Sequence, residues 1–216
     1  MDNQVKCKTR VADHGEVFTA QREVNNMLDL VKQETLRIDS RFLEPACGSG
    51  NFLVEVLNRK LEVVKSKYKK NQLEYEKYLT IAISSIYGVD ILEDNTSECR
   101  QRLYDIFDTE YSSIYKNNCK DDVRDTVKFI LDKNIICGDA LTLTKVGSDE
   151  PIVFSEWSAV NNNMIKRRDY TLNELLRNST SGDIGLFSDL GEDAFIPTPI
   201  KEYRLIHFLK LGKQDD

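Results

Sequence analysis

Histidine and cysteine are too few and too scattered here to staple a fold. The two histidines, His14 and His207, lie near opposite ends of the chain, and five cysteines stand at positions 7, 47, 99, 119 and 137 with no C-x-x-C pair. An odd, unpaired set excludes a disulfide framework, and the histidine spacing excludes a zinc site; a reducing, intracellular and cytoplasmic setting is expected. With only ten glycines and four prolines, long linkers are excluded as well. No run reaches the roughly 18 apolar residues that a membrane span needs. Met1 to Arg10 is polar and lacks the apolar stretch of a secretory signal.

A basic field is missing too. Thirty Lys and Arg stand against 36 Asp and Glu, a net charge of −6. Phosphate contacts supply much of the affinity of a dedicated nucleic-acid binder, so strong DNA binding by this chain on its own is not expected. Two local clusters, Arg59, Lys60, Lys65, Lys67, Lys69 and Lys70, then Lys166, Arg167 and Arg168, read as solvated faces. What remains is 216 residues, 40% hydrophobic and 31% charged, enough for one ordered core and short for two.

Apolar spacing gives a first helix over 19–38, capped by Thr19, with a stripe of Val24, Met27, Leu28 and Val31. Arg41 to Glu44 reads as a short buried strand ended by Pro45. A tight turn over Ala46 to Asn51 leads into a helix with Phe52, Leu53, Val56, Leu57, Leu61 and Val64 inward. Helix continues over 73–84, strand over Ile86 to Asp90, then helix from Glu93 with Cys99, Leu103, Ile106 and Phe107 inward. Val127 to Leu131 fits a helix end or a strand, and Asn134 to Cys137 a strand closed by Gly138-Asp139. This alternation predicts an α/β fold, a Rossmann-like, mostly parallel sheet with helices on both faces. Its organisation reads as a helical segment over 1–40, a binding core over 41–150 and a tail over 151–216 that packs back without forming a second domain. Within the tail, Pro151 to Trp157 suits a strand, Tyr170 to Arg177 a short helix headed by Thr171 and Glu174, and 178–193 a mobile loop.

The strongest local signal runs Phe42-Leu43-Glu44-Pro45-Ala46-Cys47-Gly48-Ser49-Gly50-Asn51-Phe52, a strand entering a two-glycine turn and then a helix. Gly48 and Gly50 are free to take left-handed dihedrals and let a ligand approach the backbone. Such a ligand lies at the carboxyl ends of the strands, where open α/β sheets bind small molecules. Dinucleotide folds use G-x-G-x-x-G, but Leu53 occupies the third glycine position and Glu44 would repel a pyrophosphate. An anionic residue suits a ligand with a cationic part, and S-adenosylmethionine has both a sulfonium and an ammonium. Asp90 ends the second strand, placed to accept ribose hydroxyls, although it follows Gly50 by 40 residues instead of the usual ~20. The helix extension and residues 68–82 account for the excess. Asp139 ends the third strand, near enough to accept from an adenine amine.

These segments resemble the adenine-specific (N6) DNA methyltransferases, notably the modification subunits of restriction-modification systems. Glu44 to Phe52 is similar to that family's cofactor motif, Gly88-Val89-Asp90-Ile91 to its ribose-binding motif, and Cys137-Gly138-Asp139-Ala140-Leu141 to its adenine-contacting motif. Gly15 to Ala20 resembles the segment that closes over the methionine moiety, with Ala20 where the family usually has proline. The resemblance spans roughly 11–145. It implies S-adenosylmethionine as cofactor, with Phe18 and Thr19 flanking its methionine end and Glu44 near its amino group. Pro45, Ala46, Cys47, Gly48 and Gly50 would wrap it through their backbone. It further places Asp90 on the ribose, Ile91 and Ala140 at the adenine, and Asp139 on the adenine amine.

One departure is large. The family carries Asn/Asp-Pro-Pro-Tyr/Phe at the end of the next strand, where its acceptors favour charge developing on the attacking amine. The corresponding stretch is Ile152-Val153-Phe154-Ser155-Glu156-Trp157-Ser158, without adjacent prolines. Trp157 reads as core or interface, and Asn161 to Asn163 as a loop. DNA is therefore expected as a partner through another chain or a recognition region not contained in these residues, since base flipping needs a surface that grips the duplex. Two further readings stay open: a non-catalytic interaction subunit, and methylation of RNA or a small molecule.

Overall fold

A computed structural model of the chain describes residues 9, 10, 12, 17, 19–161, 163–176 and 197–213. Gly15, Glu16, Phe18, Asn162 and the 178–193 loop, all named above, lie outside the described residues.

Where one helix is predicted over 19–38, two short ones form, α1 (Gln21–Leu30) and α2 (Lys32–Thr35). Only Val24 and Leu28 of the expected stripe are buried; Met27 and Val31 face solvent. Strand β1 (Phe42–Glu44) then enters the glycine turn and α3 (Asn51–Tyr68). Helix α4 (Gln72–Ser84), capped by the Asn71 side chain accepting from the Glu74 N–H, returns the chain to β2 (Ile86–Asp90). Two more helices, α5 (Glu93–Tyr115) and α6 (Asp121–Asn134), lead to β3 (Ile135–Asp139) and a short β4 (Thr144–Lys145). The ambiguous Val127 to Leu131 stretch is thus helix.

β1, β2 and β3 pair in parallel, and β4 adds antiparallel to β3. Each parallel crossover carries two helices. That doubling explains why Asp90 follows the turn at twice the usual interval. Strand alternation sorts the two faces of the sheet. Phe42, Ile86 and Ile135 join the core built by α3 to α6. Leu43, Tyr87, Val89 and Ile136 instead meet Ile152, Phe154, Tyr170, Leu172 and Leu175. The expected second helical layer is therefore largely replaced by strands.

Those strands form a separate antiparallel sheet. β5 (Val153–Val160) and β6 (Met164–Thr171) make a hairpin whose turn uses Asn163 at φ 61°, and β6 also pairs with β7 (Lys201–Glu202) and β8 (Ile206–His207). The 152–158 stretch therefore does not extend the parallel sheet as the family's acceptor strand would. Among the described residues no strand pairs with the outer edge of β1. Helix α7 (Leu172–Leu176) is headed as expected, with the Thr171 hydroxyl accepting from the Glu174 N–H at 3.2 Å. Trp157 is core, its indole N–H donating to Asn134 Oδ1 at 3.0 Å. A closing 3-10 segment, Phe208–Lys213, packs Phe208 and Leu211 into the helical core.

Two of the residues read as solvated cations are buried instead. Lys60 shares the inward stripe of α3 with Leu53, Val56, Leu57, Leu61 and Val64. Its ammonium donates to the Ile38 and Ser40 carbonyls and to Ser85 Oγ, and so ties the entry of β1 to the entry of β2. Arg167 points inward from β6. It pairs with Asp169 at 2.9 Å, donates to Ser155 Oγ at 3.0 Å, and lies 4.0 Å from the centre of the Tyr203 ring. Tyr203 also donates to Asp169, closing a satisfied network. Lys166 and Arg168 face outward and pair with Glu202 and Glu156.

Arg167→Met is expected to lower the unfolding free energy by about 3–5 kcal/mol, because Asp169 would stay buried without its counter-charge. A urea melt within 1 kcal/mol of wild type would remove this network from the account. Burial pulls the Lys60 pKa down from 10.5 to about 7. The unfolded chain then binds more protons than the folded one between those values. Lys60's contribution to stability is full above about pH 10.5 and is lost as the pH falls to about 7. The wild-type stability minus that of Lys60→Met should therefore rise from pH 7 to 10, and a flat difference would contradict the burial argument.

Candidate cofactor site at the strand tips

Parallel pairing in register brings Glu44, Asp90 and Asp139 to the carboxyl ends of three neighbouring strands. The turn between β1 and α3 sits over the middle one. Gly48 adopts φ 52° and Gly50 φ 89°, both in the left-handed region. The Cys47 N–H donates to the Val89 carbonyl and the Gly50 N–H to the Cys47 carbonyl, each at 2.8 Å. Gly50 is the residue before α3 and offers no side-chain cap, so the first N–H groups of the helix have no acceptor from that position.

Leu53 at the third glycine position has a structural explanation. In dinucleotide folds that glycine allows close packing of helix on strand. Here the close approach is made by Gly88 on β2. A Cβ there would lie 2.9 Å from Leu53 Cδ1 and 3.0 Å from Cys47 Sγ. The missing side chain has moved from the helix to the strand.

Glu44 is half-buried, and desolvation raises its pKa above 4.5 against the opposing hydrogen bond from the Ala46 backbone. Among the described residues it has no ion-pair partner. Asp90 behaves differently. Its Oδ2 accepts from the Gly48 N–H at 2.8 Å, and its Oδ1 from the Leu92 N–H at 3.0 Å and Asn95 Nδ2 at 3.1 Å. A carboxylate has about four acceptor positions. With these three donors in place, Asp90 keeps about one free acceptor position, where the sequence reading expected it to serve two hydroxyls. Asp139 accepts from the Leu141 N–H through Oδ1 at 2.8 Å.

Around these acids, Ile91 is exposed and Ala140 half-buried beside Asp139. Pro45 and Ala46 are exposed, whereas Cys47 turns its thiol into the core. There burial and the neighbouring Cys99 thiol hold the Cys47 pKa far above the ordinary thiol range, with the thiol contact the larger cause. Thr19 reaches the turn through its carbonyl, which accepts from Asn51 Nδ2 at 3.1 Å. Sequence reasoning missed Asn95 and Arg102, which support the turn from α5. The signal was their spacing with Cys99, at 4 and 3 residues along a helix already predicted.

A family model for the MmeI DNA-methyltransferase domain matches residues 18–147. The chain belongs to this family. Membership implies an S-adenosylmethionine-dependent methyltransferase fold, and the matched stretch runs from the Thr19 region through the turn to β4. The chain is also similar to DNA methyltransferase A of Bacillus subtilis (strain 168), at 31% identity over 123 residues, 53% of this chain. It spans 14% of that protein's length. No solved structure matches the chain. Among the described residues no helix is long and apolar enough to cross a membrane, and no cluster of His, Cys, Asp and Glu is arranged to hold a metal ion.

Gly50 lies against α5 so closely that a Cβ would meet Cys99 Sγ at 2.6 Å. Gly50→Ala is expected to cost about 2–4 kcal/mol, combining left-handed strain with overpacking. Adding Cys99→Ala should recover at least about 1 kcal/mol relative to the summed single variants, since only the steric part is relieved. Strict additivity in urea melts would show that the contact does not limit the turn.

Proposed function

We propose that this chain binds S-adenosylmethionine at the strand tips and is the cofactor-binding part of a DNA adenine-N6 methyltransferase. The observation that carries the reading is Glu44, a half-buried carboxylate with no cationic partner among the described residues, beside a glycine turn and an uncapped helix start. A burial penalty on an anion is offset when a cation arrives, and the ammonium of the cofactor's methionine end is such a cation. The backbone of Ala46 to Gly50 would wrap that end, and the family resemblance assigns Phe18 and Thr19 to flank it. Asp90 would take one ribose hydroxyl through its remaining acceptor position, Ile91 and Ala140 would flank the adenine, and Asp139 would accept from its amine.

When bound, the cofactor supplies an electrophilic methyl group on its sulfonium. The residues here bind and orient; the acceptors needed at the target amine are expected from another chain or from a segment beyond these residues. DNA engagement is assigned to that same source, in keeping with the chain's net charge of −6. The pairing of Val153–Val160 in an antiparallel hairpin, apart from the parallel sheet, supports this division.

Calorimetry with S-adenosylmethionine should show binding that weakens as the pH falls through the raised Glu44 pKa, because the carboxylate must be ionised to meet the ammonium. Glu44→Gln should weaken binding roughly ten- to a hundredfold at pH 8 and flatten the pH dependence. No heat at millimolar ligand would end the proposal. The purified chain alone is expected to transfer no tritiated methyl to adenine-containing DNA, and transfer would overturn the division of labour.

A further inference from the structure

Three residues on one face of α5 converge on the cofactor turn. Asn95 donates to Asp90, Cys99 lies under Gly50, and Arg102 reaches the loop itself. Arg102 Nη1 donates to the Ser49 carbonyl at 2.6 Å, to Ser49 Oγ at 3.2 Å and to Asn51 Oδ1 at 2.9 Å. Among the described residues it forms no ion pair, so the hydrogen bonds its guanidinium makes there all go to this turn. Asn51 in turn donates to the Thr19 carbonyl. One amide side chain therefore joins two segments far apart in sequence, and one arginine orients that amide.

We infer that Arg102 is a positioning residue for cofactor binding: through Ser49 and Asn51 it holds the glycine turn and the Thr19 segment in the geometry that receives the methionine end, without touching the ligand. This rests on the S-adenosylmethionine reading of the site. The physical reason is pre-organisation. Gly48 and Gly50 have wide conformational freedom, and a turn built on them must be held from outside or lose entropy on binding. A charge-assisted hydrogen bond to the Ser49 carbonyl restrains the residue between them. The Asn51 amide can serve Thr19 only in one flip state, and an acceptor-facing arginine selects that state, with its oxygen toward α5.

The test uses the full chain with two readouts. Hydrogen exchange without ligand should show the Gly48 to Asn51 amides exchanging about tenfold faster in Arg102→Met, with β2 amides unchanged. Calorimetry with S-adenosylmethionine should show about tenfold weaker binding in Arg102→Met, a similar loss in Asn51→Ala, and a double variant no worse than the weaker single. Arg102→Lys, which keeps a donor and the charge, should recover part of both effects, and it serves as the measured variant if Arg102→Met fails to fold. Unchanged exchange at the turn overturns the inference whether or not the ligand binds. Wild-type affinity in a folded Arg102 variant overturns it also, as does full additivity with Asn51→Ala. Faster turn exchange in Arg102→Met, with no binding even by wild type, would instead leave the positioning role standing and sink the cofactor reading.

Discussion

The site depends on one carboxylate. Asp90 ends the central parallel strand and accepts from the Gly48 N–H before it and from Leu92 and Asn95 after it. A glycine turn has little conformational preference of its own, and a strand tip has unpaired groups on both sides. Asp90 satisfies both with one charge. Three donors replace the hydration that the buried carboxyl group loses, two of them backbone amides that would otherwise lie unpaired beside the turn.

Around that anchor the fold divides its labour by face. Four helices crowd one side of a small parallel sheet, and Gly88 removes the side chain that would keep Leu53 of α3 away from β2. The other side is closed by a hairpin whose inner residues Phe154 and Tyr170 pack on Tyr87 and Val89. Parallel strands need apolar cover on both faces, and the hairpin supplies it where a helical layer was expected. Using this segment as cover also keeps it from standing beside β1.

Charge gave the least reliable sequence signals, for a physical reason. Lys60 stands on the apolar stripe of α3, so its burial was visible in the helical period, but its partners are two backbone carbonyls and a serine hydroxyl brought from β1 and β2. Arg167 carried even less warning. Its inward neighbours on β6 are Ile165 and Asp169, and an alternating pattern with one apolar member does not announce a buried face. What makes its burial possible is a network of Ser155, Asp169 and Tyr203, the last just after β7 and far along the chain.

Local rules sufficed for α3, α4, α5 and the strands β1 to β3, for the glycine turn, and for the three acids at the strand tips, because each is set by periodicity or by residues adjacent in the chain; they did not show the break between α1 and α2 or fix α6. They also sufficed for the family resemblance, which the match over 18–147 bears out at the level of a DNA-methyltransferase domain. Tertiary structure alone decided which acid has no ion-pair or side-chain partner among the described residues and which is already engaged. Glu44 and Asp90 are both strand-end carboxylates in sequence, yet among the described residues one meets the Ala46 backbone alone and the other three donors. Those donors come from a turn 42 residues earlier and a helix just beyond, and only folding brings them together.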